Sequence, residues 1–401
     1  MTSRWRLKIA SVAAAAGILS GASAGHGFNS SGIVNLVRVP GGGLQPQIAR
    51  DAKGILHLAY FKGDPAHGDI FYTWSHDDGN TFSSPIRVNS QPGSAVATGT
   101  IRGAQIAVGK AGRVHVVWNG SSLALPKGPR HPGHAKAGAY EATPMLYARL
   151  NDSRTAFEPQ RNLMTRTFDL DGGGSVAADQ RGNVYVAWHA SAAGSAEGES
   201  GRRVWVARSN DEGERFEPEQ AVNPSPTGAC GCCGLRIFAG YDGTVYLLYR
   251  SATESVHRDV YLLVSRDGAR NFRGRLIDKW EINACPMSSM DLAEGAGRVL
   301  AAWQTKEQVF FAPMSSETMS PISAPGKGDN RKYSFVAANN AGETILVWTE
   351  ATRWARGGTL AWQVFDKGGQ PTSQQGSGPS VPVWSFGTGF VRRDGNFAVL
   401  Y

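Results

Sequence analysis

The feature that most constrains the fold of this chain is one pattern that occurs seven times along it. In each copy a glycine precedes a short run in which apolar and variable residues alternate, and an aromatic residue stands six positions after that glycine. An alternation with a period of two is typical of a β-strand. The copies run from Gly54 to Tyr60, Gly112 to Trp118, Gly182 to Trp188, Gly243 to Tyr249, Gly297 to Trp303, Gly342 to Trp348 and Gly395 to Tyr401.

The distance between the copies predicts the fold that the repeat builds. Successive copies begin about 45 to 70 residues apart, which is the length expected for one four-stranded blade. Fifty glycines, eleven tryptophans and only 18% charged residues fit many short strands joined by tight turns. The sequence therefore predicts an all-β fold, a β-propeller of four-stranded blades, with seven blades by repeat count and six as the alternative.

The two ends of the chain are predicted to meet. The seventh copy ends at Tyr401, which leaves its blade without an outer strand. We expect the segment IVNLVRV, Ile33 to Val39, to supply that strand. Such pairing closes the ring and removes exposed strand edges.

The first 24 residues are typical of a secretory signal peptide. Arg4, Arg6 and Lys8 precede a short apolar stretch, and the small residues 22–24 close it. Residues 25–401 are then expected to form a single propeller domain, secreted or periplasmic. No later stretch approaches the roughly 20 apolar residues that a membrane-spanning helix needs, so we expect no membrane span.

The charge of the chain is mildly basic. Three of the positive charges behind the formal net charge of +8 lie in the predicted signal peptide, leaving about +5 on the mature chain. This balance favours acidic glycans or anionic surfaces, although an ordinary solvated basic surface is an alternative. No run of Lys and Arg with interleaved aromatic residues indicates a nucleic-acid groove, so nucleic acid is not an expected partner.

Three turns that follow predicted third strands share a second motif: SHDDGNTF from Ser75, SNDEGERF from Ser209, and the shifted copy SRDGARNF from Ser265. Ser and Asp can hydrogen-bond the turn backbone, Gly can adopt a left-handed conformation, and the aromatic residue can pack between strands. We therefore interpret the motif as structural. Its residues are Ser75, Asp77, Gly79, Phe82, Ser209, Asp211, Gly213, Phe216, Ser265, Asp267 and Phe272.

These turns are similar to Asp boxes, and Asp boxes on a propeller resemble the sialidase superfamily with its BNR repeats. The resemblance covers the repeat framework of nearly the whole mature chain and identifies it as a diverged, exported, bacterial-type member. Sialidases are six-bladed retaining glycosidases. They hold the substrate carboxylate with three arginines and use an Asp as acid/base and a Glu-activated Tyr as nucleophile.

The resemblance implies candidate site residues here. Arg38 lies in a Val-Arg-Val-Pro motif similar to that of the first family arginine, and Asp64 occupies the loop expected for the acid/base. Tyr333, followed by Ser334 and a late Glu350, resembles the nucleophile motif. The second arginine is Arg258 or Arg250, and Arg236 is a further candidate because it follows the cysteine cluster on an inner strand.

Two positions depart from the family pattern. Ala239 stands where the family has its activating Glu, three residues before the Asp242-Gly243 turn, and no arginine lies between Arg298 and Arg331. A tyrosine needs such a base to act as a nucleophile near neutral pH. The alternatives are therefore an exo-glycosidase of the sialidase type and a non-catalytic binding or assembly module.

The four cysteines, Cys230, Cys232, Cys233 and Cys285, lie in two segments that each precede the first strand of a blade, the fourth and the fifth. These segments should meet on one face. An even count in an exported protein favours disulfides, with the pairing left open among three connectivities. A redox site, or a site for a soft metal such as Cu(I), is the alternative; no other cofactor is expected.

The same face should collect the other loops that enter inner strands. Trp280 and Arg331 belong to those loops, as do Asn283, Lys332 and Trp384. Aromatic, basic and amide side chains together suit sugars. The sequence thus predicts an exported propeller that recognises a glycan or another acidic extracellular ligand at its axial face, with the binding module and a periplasmic metal or redox protein as alternatives.

Overall fold

Twenty-seven β-strands and two 3-10 turns, Pro40–Gly42 and Lys110–Gly112, make up the regular structure of the computed structural model, which describes residues 34–131, 142–224, 227–314 and 319–401. The described residues form no α-helix, so the all-β prediction is confirmed. None of their helical segments is long and apolar enough to cross a membrane. The predicted signal peptide and the start of the predicted mature domain, residues 25–33, lie outside the described residues.

Six sheets of four strands follow one another along the chain, and each is an antiparallel meander in sequence order. Blade 1 contains β2 (Leu44–Arg50), β3 (Leu56–Asp64), β4 (His67–Ser75) and β5 (Ile86–Arg87). Blade 2 contains β6 (Gln105–Val108), β7 (Val114–Asn119), β8 (Met145–Arg149) and β9 (Arg161–Asn162). Blade 3 contains β10 (Thr167–Ala178), β11 (Val184–Ala192), β12 (Arg203–Ser209) and β13 (Gln220–Ala221).

The next three blades repeat this order. Blade 4 contains β14 (Arg236–Ala239), β15 (Val245–Arg250), β16 (Val260–Ser265) and β17 (Arg273–Asp278). Blade 5 contains β18 (Asp291–Gly295), β19 (Arg298–Thr305), β20 (Gln308–Pro313) and β21 (Ile322–Ser323). Blade 6 contains β22 (Lys332–Ala338), β23 (Thr344–Glu350), β24 (Gly358–Phe365) and β25 (Pro371–Val381).

The seventh blade has three strands and closes the ring. Its inner strand β26 (Thr388–Val391) pairs antiparallel with β27 (Phe397–Leu400), and β27 pairs in parallel with β1 (Asn35–Val37) from the other end of the chain. The predicted closure by the N-terminal segment is confirmed, and the blade count is seven rather than the alternative six. With β1 in place, both edges of β27 are paired, and the two ends of the described chain lie in one sheet.

The repeated glycine has a physical reason in every blade. Gly54, Gly112, Gly182, Gly243, Gly297, Gly342 and Gly395 all have positive φ, between 71° and 95°. Each ends the turn that leads from the first strand into the second, and a left-handed residue there favours glycine because it has no Cβ.

The core lies between neighbouring blades. Trp118 packs with side chains of blades 1 and 2, Trp188 with blades 2 and 3, and Trp303 with blades 4 and 5, and all three rings are fully buried. Burial of a large apolar side chain contributes roughly 2 to 3 kcal/mol. The aromatic residue six positions after each glycine therefore joins its blade to a neighbour.

The meander gives the propeller two distinct ends. Inner strands begin at the axial face, which also carries the loops between the second and third strands of each blade. The opposite face carries the turns between first and second strands and between third and fourth strands. The loops that hold the four cysteines, before β14 and before β18, both belong to the axial face.

Candidate functional site

A narrow axial pocket lies where the inner strands converge, and Arg236, the first residue of β14, reaches into it. Its Nη1 donates to Oε1 of Gln105 at 2.5 Å and to Oε1 of Gln47 at 3.4 Å. Its Nε lies 3.1 Å from Oδ1 of Asp291. A single guanidinium thus contacts side chains from blades 1, 2 and 5.

Asp291 forms the buried side of this pocket. Its Oδ2 accepts a hydrogen bond from the backbone N–H of Val336 at 3.1 Å. Burial raises the pKa of Asp291, and the Arg236 guanidinium lowers it in part. Because a buried carboxylate is stable only with such partners, the Arg236–Asp291 pair is fixed in place and leaves Gln47 and Gln105 at the pocket wall.

Tyr333 lies on the same pocket, almost completely buried, with a φ of 56°. The register of β22 shifts between Lys332 and Phe335, so Tyr333 sits on a bulge. Burial raises the pKa of Tyr333 to about 12, and a hydrogen bond with the side chain of Thr100 lowers it in part. The sulfur groups of Cys232 and Cys233 also raise that pKa electrostatically.

The cysteines come together as a thiol cluster. Sγ of Cys230 lies 3.3 Å from Sγ of Cys232 and 3.5 Å from Sγ of Cys233. Cys285 shares a hydrogen bond with Cys232, which lowers the pKa of Cys285 to about 7. All four are free thiols; Cys230 and Cys233 are buried and Cys285 is exposed. The two cysteine segments therefore meet on the axial face, as predicted from their positions in the sequence.

Ion pairs surround the thiol cluster. Nη2 of Arg258 lies 2.7 Å from Oε2 of Glu199, whose Oε1 accepts the backbone N–H of Gly231 at 2.8 Å. Arg202 lies between Glu199 and Asp171, at 3.9 Å and 3.6 Å. The cysteine loop therefore rests directly on a charged network that starts in blade 3.

The network continues to blade 2 through Arg102, whose Nη2 donates to Oδ1 of Asp171 at 2.7 Å. Beside it His189 is fully buried, and within the described chain neither of its ring nitrogens makes a well-formed hydrogen bond. Burial lowers the pKa of His189 to about 4, so the ring is neutral near pH 7. Sequence patterns gave no sign of His189, because an alternating strand register hides which polar residue faces another blade.

Aromatic residues lie on the axial face near Arg102. Trp354, in the loop between β23 and β24, is 45% exposed and meets Trp384 edge to face, with ring centroids 5.2 Å apart. A Cβ added at Gly99 would lie 3.2 Å from the Trp354 ring and 2.5 Å from Nη1 of Arg102. The loop of blade 6 thus reaches blade 2. Trp384 was predicted from the sequence and Trp354 was not, although Trp354 is flanked by arginines in the segment TRWAR.

The candidate arginines lie apart. Arg38 is exposed beside the outer strand of blade 7, where its guanidinium lies 5.0 Å from the centre of the Tyr401 ring. Arg331 is buried and paired with Glu350 at 2.8 Å. Arg258 lies at the thiol cluster and Arg236 at the axis. Within the described residues, these four arginines therefore do not converge on one carboxylate-sized site.

The other candidates lie on the axial side. Asp64 ends β3 at an exposed hairpin and accepts the backbone N–H of Ala66 at 2.8 Å. Trp280 is buried, with the guanidinium of Arg250 5.2 Å from its ring centre. Asp64 and Tyr333 share this face, but no contact joins their side chains among those described.

The Asp-box turns lie on the opposite face. Ser75 Oγ donates to Oδ1 of Asp77 at 2.7 Å and accepts the N–H of Gly79 at 2.8 Å. Ser209 and Ser265 make the same pair of contacts in their turns. Their Asp side chains hold turn backbone, remote from the axial pocket.

No protein-family model matches the sequence, and no curated protein matches it. Among solved structures, the α-L-arabinanase of Penicillium chrysogenum, complexed with arabinobiose, is similar over 84% of this chain and 98% of its own, with 14% identity and a TM-score of 0.53.

A protein of unknown function from Dyadobacter fermentans is similar over 88% of this chain and 98% of its own, with 14% identity and a TM-score of 0.51. Trypanosoma rangeli sialidase in complex with the inhibitor DANA is similar over 80% of this chain and 54% of its own, with 12% identity and a TM-score of 0.51. This chain thus spans about half the length of that sialidase. At these identities the comparison shows the fold: a β-propeller of the kind found in sialidases and arabinanases.

Proposed function

We propose that this protein is an exported, sialidase-like Asp-box propeller that binds a glycan or another acidic extracellular ligand at its axial face and does not hydrolyse it. The observation that carries the proposal is the exposed Trp354 ring, supported by Trp384 and next to Arg102. Its expected location is the periplasm or the extracellular medium, and neither nucleic acid nor a membrane span enters the proposal.

An exposed tryptophan with a fixed ring plane is a suitable surface for a sugar. The apolar face of a pyranose packs on an aromatic ring, while charged and amide groups around it bond hydroxyl and carboxylate groups. Arg102 supplies a cation at the edge of the ring, although Asp171 holds its Nη2. The amides of Gln47 and Gln105 lie deeper, at the axis.

Two of the solved structures with a similar fold contain a bound ligand. The arabinanase is described with arabinobiose and the sialidase with the inhibitor DANA. Because the shared feature is the fold, this similarity supports a sugar as the ligand class and leaves the particular sugar to the side chains of this chain.

The absence of hydrolysis is proposed from the surroundings of Tyr333. A nucleophilic tyrosine needs a neighbouring base that takes its proton. Here burial raises the pKa of Tyr333 and the side chain that bonds it is Thr100. Ala239, at the position where the family resemblance predicts the base, ends β14 and does not line the pocket that Tyr333 lines.

The experiment is a glycan-array screen of the purified mature chain, followed by calorimetry with each sugar that binds. Trp354→Ala should weaken binding by about 2- to 10-fold, since stacking on an aromatic ring contributes roughly 0.5 to 1.5 kcal/mol. Tyr241→Ala is the matched control, because Tyr241 is 87% exposed but lies on the opposite face. Equal binding by both variants would exclude the Trp354 surface.

A second assay separates binding from catalysis. The same protein is incubated with a fluorogenic sialoside and a small panel of other glycosides, and we expect no turnover. Turnover that disappears in Tyr333→Phe and Asp64→Asn would replace the binding module with an exo-glycosidase.

A further inference from the structure

We propose that the thiol cluster is a binding site for a soft metal ion, Cu(I), with Sγ of Cys230, Cys232 and Cys233 as the principal ligands and Cys285 at the open side. The proposal concerns a different part of the axial face from the Trp354 surface and does not depend on glycan binding.

The spacing of the sulfur atoms fits one ion. The three Sγ atoms all lie within 4.8 Å of one another, and two of the distances are 3.3 Å and 3.5 Å. With metal–sulfur bonds of about 2.3 Å, ligand sulfurs are roughly 3.8 to 4.0 Å apart. Movements of a few tenths of an ångström in short side chains would therefore place an ion at the centre of the triangle.

The chemistry of the donors selects the metal. The described His, Cys, Asp and Glu groups that converge here are thiols alone, without a carboxylate or imidazole among the three. An all-sulfur set favours Cu(I) and Zn(II) and disfavours Ca(II), Mg(II) and Mn(II). Structural zinc takes four ligands in a closed site. Here three sulfurs are packed closely and the fourth is exposed, which favours the ion that accepts three ligands.

Positive side chains compensate the charge of the thiolates. Each bound thiol releases its proton, so three ligands and one Cu(I) carry a net charge of −2. Arg250 and Lys332 act electrostatically on Cys233, and Arg258 acts on Cys230. Such partners are required because an uncompensated charge in a buried site is strongly unfavourable.

The backbone of the cysteine loop is held on several sides. The N–H of Cys230 donates to the carbonyl of Arg250 at 2.9 Å, and the N–H of Gly234 donates to the carbonyl of Ser288 at 2.9 Å. At Gly231 a Cβ would lie 2.5 Å from Oδ2 of Asp171 and 2.6 Å from Nη1 of Arg202. The loop is thus fixed against the ion-pair network before any ligand arrives, and a preorganised set of thiols loses little entropy on binding.

The test uses the full mature chain, reduced and metal-free under anaerobic conditions. Cu(I) is titrated in competition with a chromophoric Cu(I) chelator, and X-ray absorption of the loaded protein reports the ligand atoms. We expect one Cu(I) per chain, bound by sulfur. Uptake well below one ion per chain, or coordination by nitrogen and oxygen, would overturn the proposal.

Variants assign the ligands. Cys233→Ser should lower the Cu(I) affinity by at least about 100-fold, and Cys285→Ser by about 10-fold, because loss of outer groups of a metal site typically costs 10- to 100-fold. Ala284→Ser is the control: it alters the exposed neighbour of Cys285 and should leave the affinity unchanged. Thermal unfolding of each metal-free variant shows whether the fold is intact.

Two further outcomes decide against Cu(I). If Zn(II) stays bound when Cu(I) is offered in equal amount, the site is a zinc site. If the protein isolated from an exporting host contains two disulfides that resist mild reduction, the cluster is a covalent staple. If the wild-type chain contains neither retained Zn(II) nor the two disulfides and binds one Cu(I), the proposal is supported even if Cys233→Ser fails to fold.

Discussion

The two faces of this propeller are built on opposite principles. On the opposite face, Ser75, Ser209 and Ser265 make the same contacts in three different blades. On the axial face each loop is different. One holds three cysteines, another holds the exposed Trp354, and another holds Arg102, where the ion-pair network ends. The Asp-box turns thus give the blades, which form the frame of the molecule, a common geometry. The loops of the axial face differ from blade to blade and can supply functional side chains.

The Asp boxes satisfy their carboxylates within their own turns. The Asp of each box accepts hydrogen bonds from its own turn, as Asp77 does from the backbone N–H and hydroxyl of Thr81 at 2.8 Å and 2.6 Å. On the axial face, Ser334 Oγ and both nitrogens of His189 lack such partners within the described residues. Unpaired buried atoms are not confined to that face, since Nε2 of His115 and Oγ1 of Thr344 also lack a partner within the described residues.

The largest expected effect separates glycines of the two faces. Gly213 has a φ of 74°, and a Cβ there would overlap the hydroxyl of Tyr147. Gly213→Ala should therefore lower the free energy of unfolding by about 3 kcal/mol. Gly194, in an axial loop, has a similar φ of 79° but nothing within 4 Å, so Gly194→Ala should cost only about 1 kcal/mol. Urea unfolding of the two variants measures the difference; equal losses would contradict it.

A second prediction concerns pH and two buried histidines at the start of second strands. Nδ1 of His57 and of His115 each lie 2.8 Å from a tyrosine hydroxyl. Burial lowers the pKa of His57 to about 4 and that of His115 to about 3. The unfolded chain takes up protons near pH 6.5 while the folded rings stay neutral, so stability falls as the pH falls below 6.5.

When the pH falls from 7 to 5, the free energy of unfolding should decrease by about 2 kcal/mol for each of the two histidines. His115→Gln keeps a polar partner for the hydroxyl of Tyr147 but cannot titrate there. Its unfolding curves at the two pH values should therefore differ by about 2 kcal/mol less than those of the wild type. An unchanged pH dependence would show that folding does not lower the pKa of His115.

A smaller effect tests the irregular Asp box. The third box has Ala269, with a φ of 61°, at the position where the other two have Gly79 and Gly213. A left-handed alanine is strained by roughly 1 kcal/mol, partly offset by the greater freedom of glycine in the unfolded chain. Ala269→Gly should therefore raise the free energy of unfolding by about 0.5 kcal/mol, measured by denaturant titration. A clear loss of stability would mean that packing of the Ala269 methyl group outweighs the backbone strain.

The smallest expected effect belongs to the axial face. Trp354 is exposed and contacts mainly Trp384 and the Gly99 turn, so Trp354→Ala should change the free energy of unfolding by less than about 0.5 kcal/mol. The same variant is expected to lose ligand. A stability loss comparable to that of Gly213→Ala would place Trp354 with the frame.

Most of the frame could be predicted because one glycine and one aromatic residue per blade determine a local turn and a contact between blades. The corresponding turn of blade 2 was not predicted from the sequence, because it lacks the serine and the glycine of the motif. There Asn151 bonds the turn, and Phe157 meets Tyr72 edge to face just as Phe216 meets Tyr147. The aromatic contact between the blades is therefore the same, although the residues of the turn differ.

The candidate site was harder to predict because its residues depend on contacts between blades. The cysteine convergence followed from loop position alone. Arg38, in contrast, carried the family motif, yet it lies at the rim because its segment is used as the outer strand of blade 7. His189 and Trp354 show the same limit, since their neighbours lie in other blades and far away along the chain.

The parallel pairing of β1 with β27 sets the order in which this molecule can be completed. The two strands are separated in sequence by every other strand of the ring, so the ring can close only when both of them are available. Until β27 has paired with β1, the contacts of Arg236 with Gln47 and Asp291 are not enclosed by a closed ring. The axial pocket therefore takes its final shape only when the ring closes.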